Sequence, residues 1–122
     1  MKLYSNNNKE VGHLGESLAC EFLEKNGYKI IERNKHFSKY CEIDIIAQIK
    51  NTLVFVEVKT RKNNNLGTPF NAITQKKYKN ICTGALSYLK ETESKCNNYR
   101  IDAIAVVLEP KLDIQHLQNI SL

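Results

Sequence analysis

The sequence has no long apolar stretch. Its two longest apolar runs, residues 53–58 and 103–108, are far shorter than the roughly 20 residues that a membrane-spanning helix needs. The N-terminal ten residues are polar and rich in asparagine, without the apolar segment of a secretory signal. We therefore expect no membrane partner and a cytoplasmic location.

Paired cysteine motifs are missing as well. Four cysteines are widely spaced, with no Cys-x-x-Cys pair: Cys20, Cys41, Cys82 and Cys96. This spacing predicts free thiols and excludes the common structural zinc motifs. Three histidines are scattered, for which we expect surface or capping roles: His13, His36 and His116.

The length of 122 residues suits one domain that buries about two-thirds of its unfolded surface in a single core. We expect this domain to span residues 1–122, with residues 1–9 as a flexible tail. The composition, 42% hydrophobic and 25% charged, is ordinary for a globular protein.

Basic residues are concentrated in the second half of the chain. Residues 50–100 contain ten Lys or Arg against three Asp or Glu, whereas the rest contains eight against ten. This asymmetry, with a net charge of +5, favours a polyanionic partner such as nucleic acid. Ordinary solvated lysines are the alternative.

Apolar periodicity predicts two helices. Residues 11–23 have helical spacing and stop at a Gly27 cap, and Thr74 is a plausible N-cap for a second helix. Strands are predicted at residues 28–33, 41–49, 52–60 and 100–108, with a short edge strand at 113–117. The order αβββαβ(β) predicts an α/β fold with a mixed sheet covered by helices on both faces.

The second and third predicted strands form a hairpin that brings acids together. If residues 50–51 are a two-residue turn, partners have positions that sum to 101, so Asp44 faces Glu57 and Glu42 faces Lys59. Opposed carboxylates about 5 Å apart destabilise the pair, which a bound cation would offset. Carboxylates beside a lysine suit Mg²⁺ or Mn²⁺. Such a set of residues and metal is typical of enzymes that attack phosphodiester bonds.

Five segments carry a resemblance to a known family: Gly15-Glu16, Cys41-Glu42-Ile43-Asp44-Ile45-Ile46-Ala47, Val54-Phe55-Val56-Glu57-Val58-Lys59-Thr60-Arg61, Lys77 with residues 85–89, and Arg100-Ile101-Asp102. Over nearly its whole length the chain resembles the YraN family of small bacterial proteins. That resemblance implies a restriction-endonuclease-like, three-layer α/β/α fold of the PD-(D/E)XK class and a metal-dependent endonuclease. The family usually has glycine where this chain has Cys41.

The resemblance also implies roles for individual residues. Asp44 and Glu57 would hold Mg²⁺ or Mn²⁺ with the carbonyl of Val58, and Lys59 would orient or activate the attacking water. Glu16 would be the auxiliary acid, on a helix from which it reaches the sheet and a second metal.

Basic side chains near the second helix are candidates for binding DNA. Gln75 and Tyr78 resemble the Gln-x-x-Tyr element of some nucleases in this class, and the dipole of the helix N-terminus also favours anions. The candidate phosphate contacts are Arg61, Gln75, Lys76, Lys77 and Lys79.

Each residue also has a simpler interpretation. The hairpin acids could form an exposed polar face, Glu16 a helix-surface acid, and Asp102 a structural salt bridge to Arg100 or Arg61. Two other functions stay open, a non-catalytic nucleic-acid-binding module and a protein-interaction domain. A monomer and a homodimer fit the sequence equally.

Overall fold

The computed structural model describes residues 8–38, 41–65, 67 and 69–121. Within them the regular elements are α1 (Asn8–Lys25), β1 (Lys29–Ser38), β2 (Cys41–Ile49), β3 (Thr52–Arg61), α2 (Gln75–Thr92), β4 (Asn98–Val107) and β5 (Asp113–Leu117), with a 3₁₀ turn at Pro69–Ala72 before α2. The predicted order is confirmed. Most of the predicted tail lies outside the described residues, but Asn8 and Lys9 already belong to α1.

The five strands form one mixed sheet in the order β1-β2-β3-β4-β5. Neighbouring strands are antiparallel except β3 and β4, which are parallel over ten residue pairs. Parallel neighbours need a long crossover connection, and α2 supplies it. The chain therefore reaches β4 by way of the helix that covers one face of the sheet.

Two apolar clusters fill the space above and below the sheet. One contains Ala19 and Leu23 of α1 with Val56 of β3. The other contains Ile81 of α2 with Phe55 of β3. Because successive side chains of a strand point to opposite faces, β3 serves both clusters and the three-layer α/β/α arrangement is confirmed. No helix in the described part of the chain is long and apolar enough to cross a membrane.

Helix α1 lies very close to β3. A Cβ atom added at Gly15 would lie 1.8 Å from Oγ1 of Thr60 and 2.7 Å from its Cβ. This approach needs a residue without a side chain, so Gly15 sets how deeply α1 sits on the sheet. The next residue, Glu16, is thereby held near the end of β3.

Strand β1 is longer than predicted. It runs over Lys29–Ser38 instead of residues 28–33, with irregular register near Ile30 and His36. β1 is an edge strand whose middle is polar and partly exposed. The apolar pattern stops early because such a strand does not need an apolar side chain at every second position.

Asp102 has a structural role, as its simpler interpretation proposed. It is fully buried and accepts hydrogen bonds from Arg100 Nε at 3.0 Å and the backbone N–H of Asn119 at 2.8 Å. His116 Nε2 lies 2.7 Å from the same carboxylate. The expected surface or capping role of His116 is therefore wrong, because β5 brings this side chain against a buried acid.

Candidate metal centre

The hairpin register matches the predicted one along most of its length. Paired residues run from Ile49 opposite Thr52 to Ile45 opposite Val56, with positions that sum to 101. Asp44 and Glu57 come directly after the last pair. At this point the backbone N–H of Val58 donates a hydrogen bond to Asp44 Oδ2 at 2.8 Å. A side chain thus replaces the next backbone partner and fixes the orientation of the carboxyl group.

The regular alternation of β2 breaks at the same point. Ile45 packs in the α1 cluster, but Ile43, two residues earlier, packs in the α2 cluster. Instead of the expected Glu42–Lys59 neighbours, Glu42 Oε1 lies 3.7 Å from His36 Nε2 of β1. That expectation was wrong because simple alternation ends where β2 leaves the ladder with β3.

Glu57 is a buried carboxylate held by two lysines. Its side chain is 2% exposed, so the interpretation as an exposed polar face is wrong for this residue. The Nζ atom of Lys77 lies 2.6 Å from Glu57 Oε1, and that of Lys59 lies 3.4 Å from the same oxygen. Burying an unpaired charge is expensive, and these two ammonium groups compensate for it.

Asp44 has an unusually high proton affinity. Burial and, to a smaller extent, the nearby Glu57 carboxylate raise the pKa of Asp44 to about 8, and Glu16 contributes in the same direction. The hydrogen bond from Val58 opposes the shift but does not outweigh it. Asp44 therefore favours its protonated form at neutral pH.

The two lysines of this site respond oppositely to their surroundings. Burial, and then the neighbouring Lys77 ammonium, lowers the pKa of Lys59. Burial also disfavours the charged form of Lys77, but its hydrogen bonds outweigh that effect and raise the pKa of Lys77. Lys59 is therefore the better proton acceptor of the two and Lys77 the more persistent cation.

Glu16 is a partly buried acid with an unsatisfied oxygen. Its Oε2 atom is buried without a hydrogen-bond partner and lies 3.9 Å from Arg33 Nη2. Burial raises the pKa of Glu16, and the Asn34 hydrogen bond and the Arg33 charge oppose this. Buried carboxylate oxygens normally have partners, so Glu16 is not a simple surface acid.

The acids do not form a ready-made cluster of three. Among the described residues, no three His, Cys, Asp or Glu side chains are grouped as metal ligands. Glu16 is close enough to affect the proton affinity of Asp44 but is not grouped with the Asp44–Glu57 pair. The pair itself opens into a polar cleft of about 250 Å³, which Lys77 and His36 also line.

The residues predicted to contact phosphates do not lie on one surface. Gln75, Lys76 and Lys79 are exposed on α2, whereas Lys77 turns inward to Glu57. Arg61 does not line this cleft and instead lines a groove between the end of β3 and the start of α1. Sequence reasoning missed the contact of Lys77 with Glu57, although the Thr74 cap three residues earlier was a signal that Lys77 lies in the first turn.

Taken together, the geometry defines a class, a three-layer α/β/α domain with a partly buried and a fully buried acid beside two lysines at the open end of a hairpin. The chain belongs to the uncharacterised protein family UPF0102, whose model matches residues 15–106. This confirms the resemblance to the YraN family, which is the same family.

Similar proteins cover almost the whole chain. A UPF0102 protein of Syntrophomonas wolfei is 40% identical over 113 residues, which are 92% of this chain and 97% of the relative. One from Dictyoglomus turgidum is 40% identical, with 93% and 98% covered, and one from Caldanaerobacter subterraneus is 43% identical, with 93% of each chain covered.

Proposed function

We propose that this protein is a nuclease that uses Mg²⁺ or Mn²⁺ to hydrolyse phosphodiester bonds of DNA. The observation that carries the proposal is that Asp44 and Glu57 line one polar cleft, with Glu57 buried and the Nζ atom of Lys59 3.4 Å from its Oε1. Burial and the neighbouring Glu57 carboxylate disfavour the ionised form of Asp44, which is unfavourable for stability at neutral pH. A catalytic site that acts on a charged substrate would explain why the two acids are kept together.

The donor set fits a hard divalent cation. Asp44, Glu57 and the carbonyl of Val58 would hold it, and carboxylate and carbonyl oxygens are the ligands that Mg²⁺ and Mn²⁺ prefer. The buried Glu16 Oε2, which has no hydrogen-bond partner, supports an auxiliary role for this acid. When bound, such a cation polarises a phosphate and increases the acidity of a water molecule.

The residues of the chain would then have distinct tasks. The backbone N–H of Val58 holds the Asp44 carboxyl in position. Lys59 orients the attacking water, and because burial lowers its pKa, the fraction of Lys59 that is neutral can accept the proton of that water. The water oxygen forms a bond to phosphorus as the P–O bond in line with it breaks, and the leaving oxygen takes a proton from solvent. Positive groups near the cleft balance the developing charge on the phosphate.

A cleavage screen tests the proposal. Purified protein is incubated with linear duplex, single-stranded, flapped and four-way-junction DNA in Mn²⁺, Mg²⁺ or EDTA. We expect cleavage of at least one substrate with metal and none in EDTA.

The variants Asp44→Asn, Glu57→Ala and Lys59→Ala should each lower the cleavage rate by at least ~100-fold, because each removes a group that acts in the transition state. Glu91→Ala removes an exposed acid on α2 and is the matched control, with the rate unchanged. Cleavage by Glu57→Ala at the wild-type rate would remove the proposal.

One observation favours an alternative, a non-catalytic nucleic-acid-binding module. Lys59 and Lys77 compensate the Glu57 charge, so Glu57 does not need a further cation for electrostatic balance. Such a module would bind DNA equally well in EDTA and would cleave no substrate. The burial of Glu57 counts against the protein-interaction alternative, in which the acids would lie on the surface.

A further inference from the structure

The contact between Lys77 and Glu57 joins two layers of the fold. Lys77 belongs to α2 and Glu57 to β3, and their Nζ–Oε1 distance is 2.6 Å. The Lys59 ammonium, from the same strand as Glu57, lies farther away at 3.4 Å. Of these two cations, the one closer to the candidate ligand Glu57 therefore comes from helix α2.

Local structure aims Lys77 into the cleft. Thr74 is the N-cap of α2, and its Oγ1 accepts a hydrogen bond from the backbone N–H of Lys77 at 3.1 Å. Ile81 follows four residues later on the same side of the helix and is packed on the sheet. Lys76 and Lys79 point away and are exposed, although all three residues carry the same charge.

A divalent cation on Glu57 conflicts with this contact. The two positive charges would share one oxygen at a buried carboxylate, where repulsion is screened much less than in water. Lys59 already lies near the same oxygen. A metal that binds Glu57 through Oε1 must therefore bind a state in which the ammonium of Lys77 has moved away.

We propose that Lys77 is a positioning residue that acts as a built-in counter-ion, pairing with Glu57 in the metal-free protein and leaving Oε1 when a divalent cation binds. This inference rests on the metal site of the proposed function. The displaced ammonium stays in the cleft that it lines, where it meets a substrate phosphate. Metal binding and substrate binding are thereby coupled through one side chain.

Metal affinity measures the exchange directly. Mn²⁺ binding to wild type, Lys77→Met and Lys76→Met is followed by electron paramagnetic resonance without DNA. If Glu57 is free of Lys77 in roughly a tenth of the molecules, removing the ammonium tightens Mn²⁺ binding about tenfold. Lys76→Met has the same charge change on an exposed neighbour and should alter the affinity less than about twofold. Binding to Lys77→Met that equals or is weaker than wild type would overturn the inference.

A second variant keeps the test decisive if Lys77→Met does not fold. Lys77→Arg retains a cation that can bind a carboxylate with two parallel hydrogen bonds, so it should weaken Mn²⁺ binding relative to wild type. Unchanged or tighter binding to this variant contradicts the exchange. Equal Mn²⁺ affinity of wild type and Lys77→Met overturns the inference and leaves the proposed nuclease intact. Absence of Mn²⁺ binding in every form overturns both.

Discussion

At the residue scale, Asp44 links stability to the proposed chemistry. Its pKa is about 8 in the folded protein against an ordinary value of 3.8. The folded state therefore binds this proton more tightly than the unfolded chain. The stability that results is fully present below about pH 4 and is lost as the pH rises from there through 8.

Replacing this acid should stabilise the metal-free protein in a pH-dependent way. Asp44→Asn keeps the shape of the side chain but cannot ionise, so we expect a higher free energy of unfolding than wild type at pH 8 and a smaller gain at pH 5. Urea unfolding at both pH values in EDTA measures this. Asp113→Asn, an exposed acid on β5, is the control and should change little at either pH.

Metal provides the complementary measurement on the same variant. Mn²⁺ at ten times its Kd should stabilise wild type by about 1.4 kcal/mol and Asp44→Asn much less. Equal metal stabilisation of both proteins, or a loss of stability in Asp44→Asn at pH 8, would mean that the two acids do not share a site.

The residues of the site differ in how far the sequence predicted them. The proximity of Asp44 and Glu57 was predictable because a two-residue turn sets the register of a hairpin. All the information needed lies within 14 positions of the sequence. Lys77 was assigned to phosphate contacts, because its contact with Glu57 depends on how α2 docks across layers. His116 was missed for the same reason, since β5 must first pair with β4.

At the element scale, α1 depends on one glycine far more than on another. Gly15 faces the Thr60 side chain at β3, whereas a Cβ added at Gly12 would meet no atom within 4 Å. Both positions lie inside the same helix, where glycine is unfavourable for backbone entropy. The two substitutions to alanine therefore separate helix propensity from packing.

We predict opposite effects on stability for these two substitutions. Gly12→Ala should raise the free energy of unfolding by about 0.5–1 kcal/mol through helix propensity. Gly15→Ala should lower it by about 1–3 kcal/mol, because α1 must move off β3. Thermal or urea unfolding of both variants decides this, and Thr60→Ala should partly rescue Gly15→Ala by removing the nearest atom. A stabilised Gly15→Ala protein would contradict the close approach.

The bounds of a helix or strand were predictable where nearby residues in the sequence determine them. The Thr74 cap, the turn at residues 50–51 and the short strand β5 are local signals and agree with the structure. The end of β1 was not predictable, because an edge strand gains backbone hydrogen bonds from β2 without an apolar face of its own.

At the scale of the whole molecule, the fold divides the basic charge into different roles. The α/β/α layering followed from the element order, because each amphipathic helix must cover one face of the sheet. Element order cannot say which lysines face the core. The structure leaves Lys76 and Lys79 exposed on α2 and commits Lys77 to a buried acid.

This division predicts different salt dependences for DNA binding. If Lys76 and Lys79 contact phosphates, the slope of log affinity against log salt should fall by roughly 0.7–0.9 for each lysine replaced by alanine. Lys77→Ala should change the slope less in EDTA, because its ammonium is already paired with Glu57 and releases few counterions. Fluorescence-anisotropy titrations of a labelled oligonucleotide in EDTA measure the slopes.

The control for this prediction lies on the opposite face of the sheet. Lys25 is exposed in the last turn of α1, so Lys25→Ala removes the same charge away from α2 and should leave the slope unchanged. A slope that falls equally in Lys25→Ala and in the α2 variants would indicate a general effect of net charge. An unchanged slope in the Lys76→Ala, Lys79→Ala double variant would assign these lysines to ordinary solvated surface, and the DNA path would then have to use Arg61 and its groove beside α1.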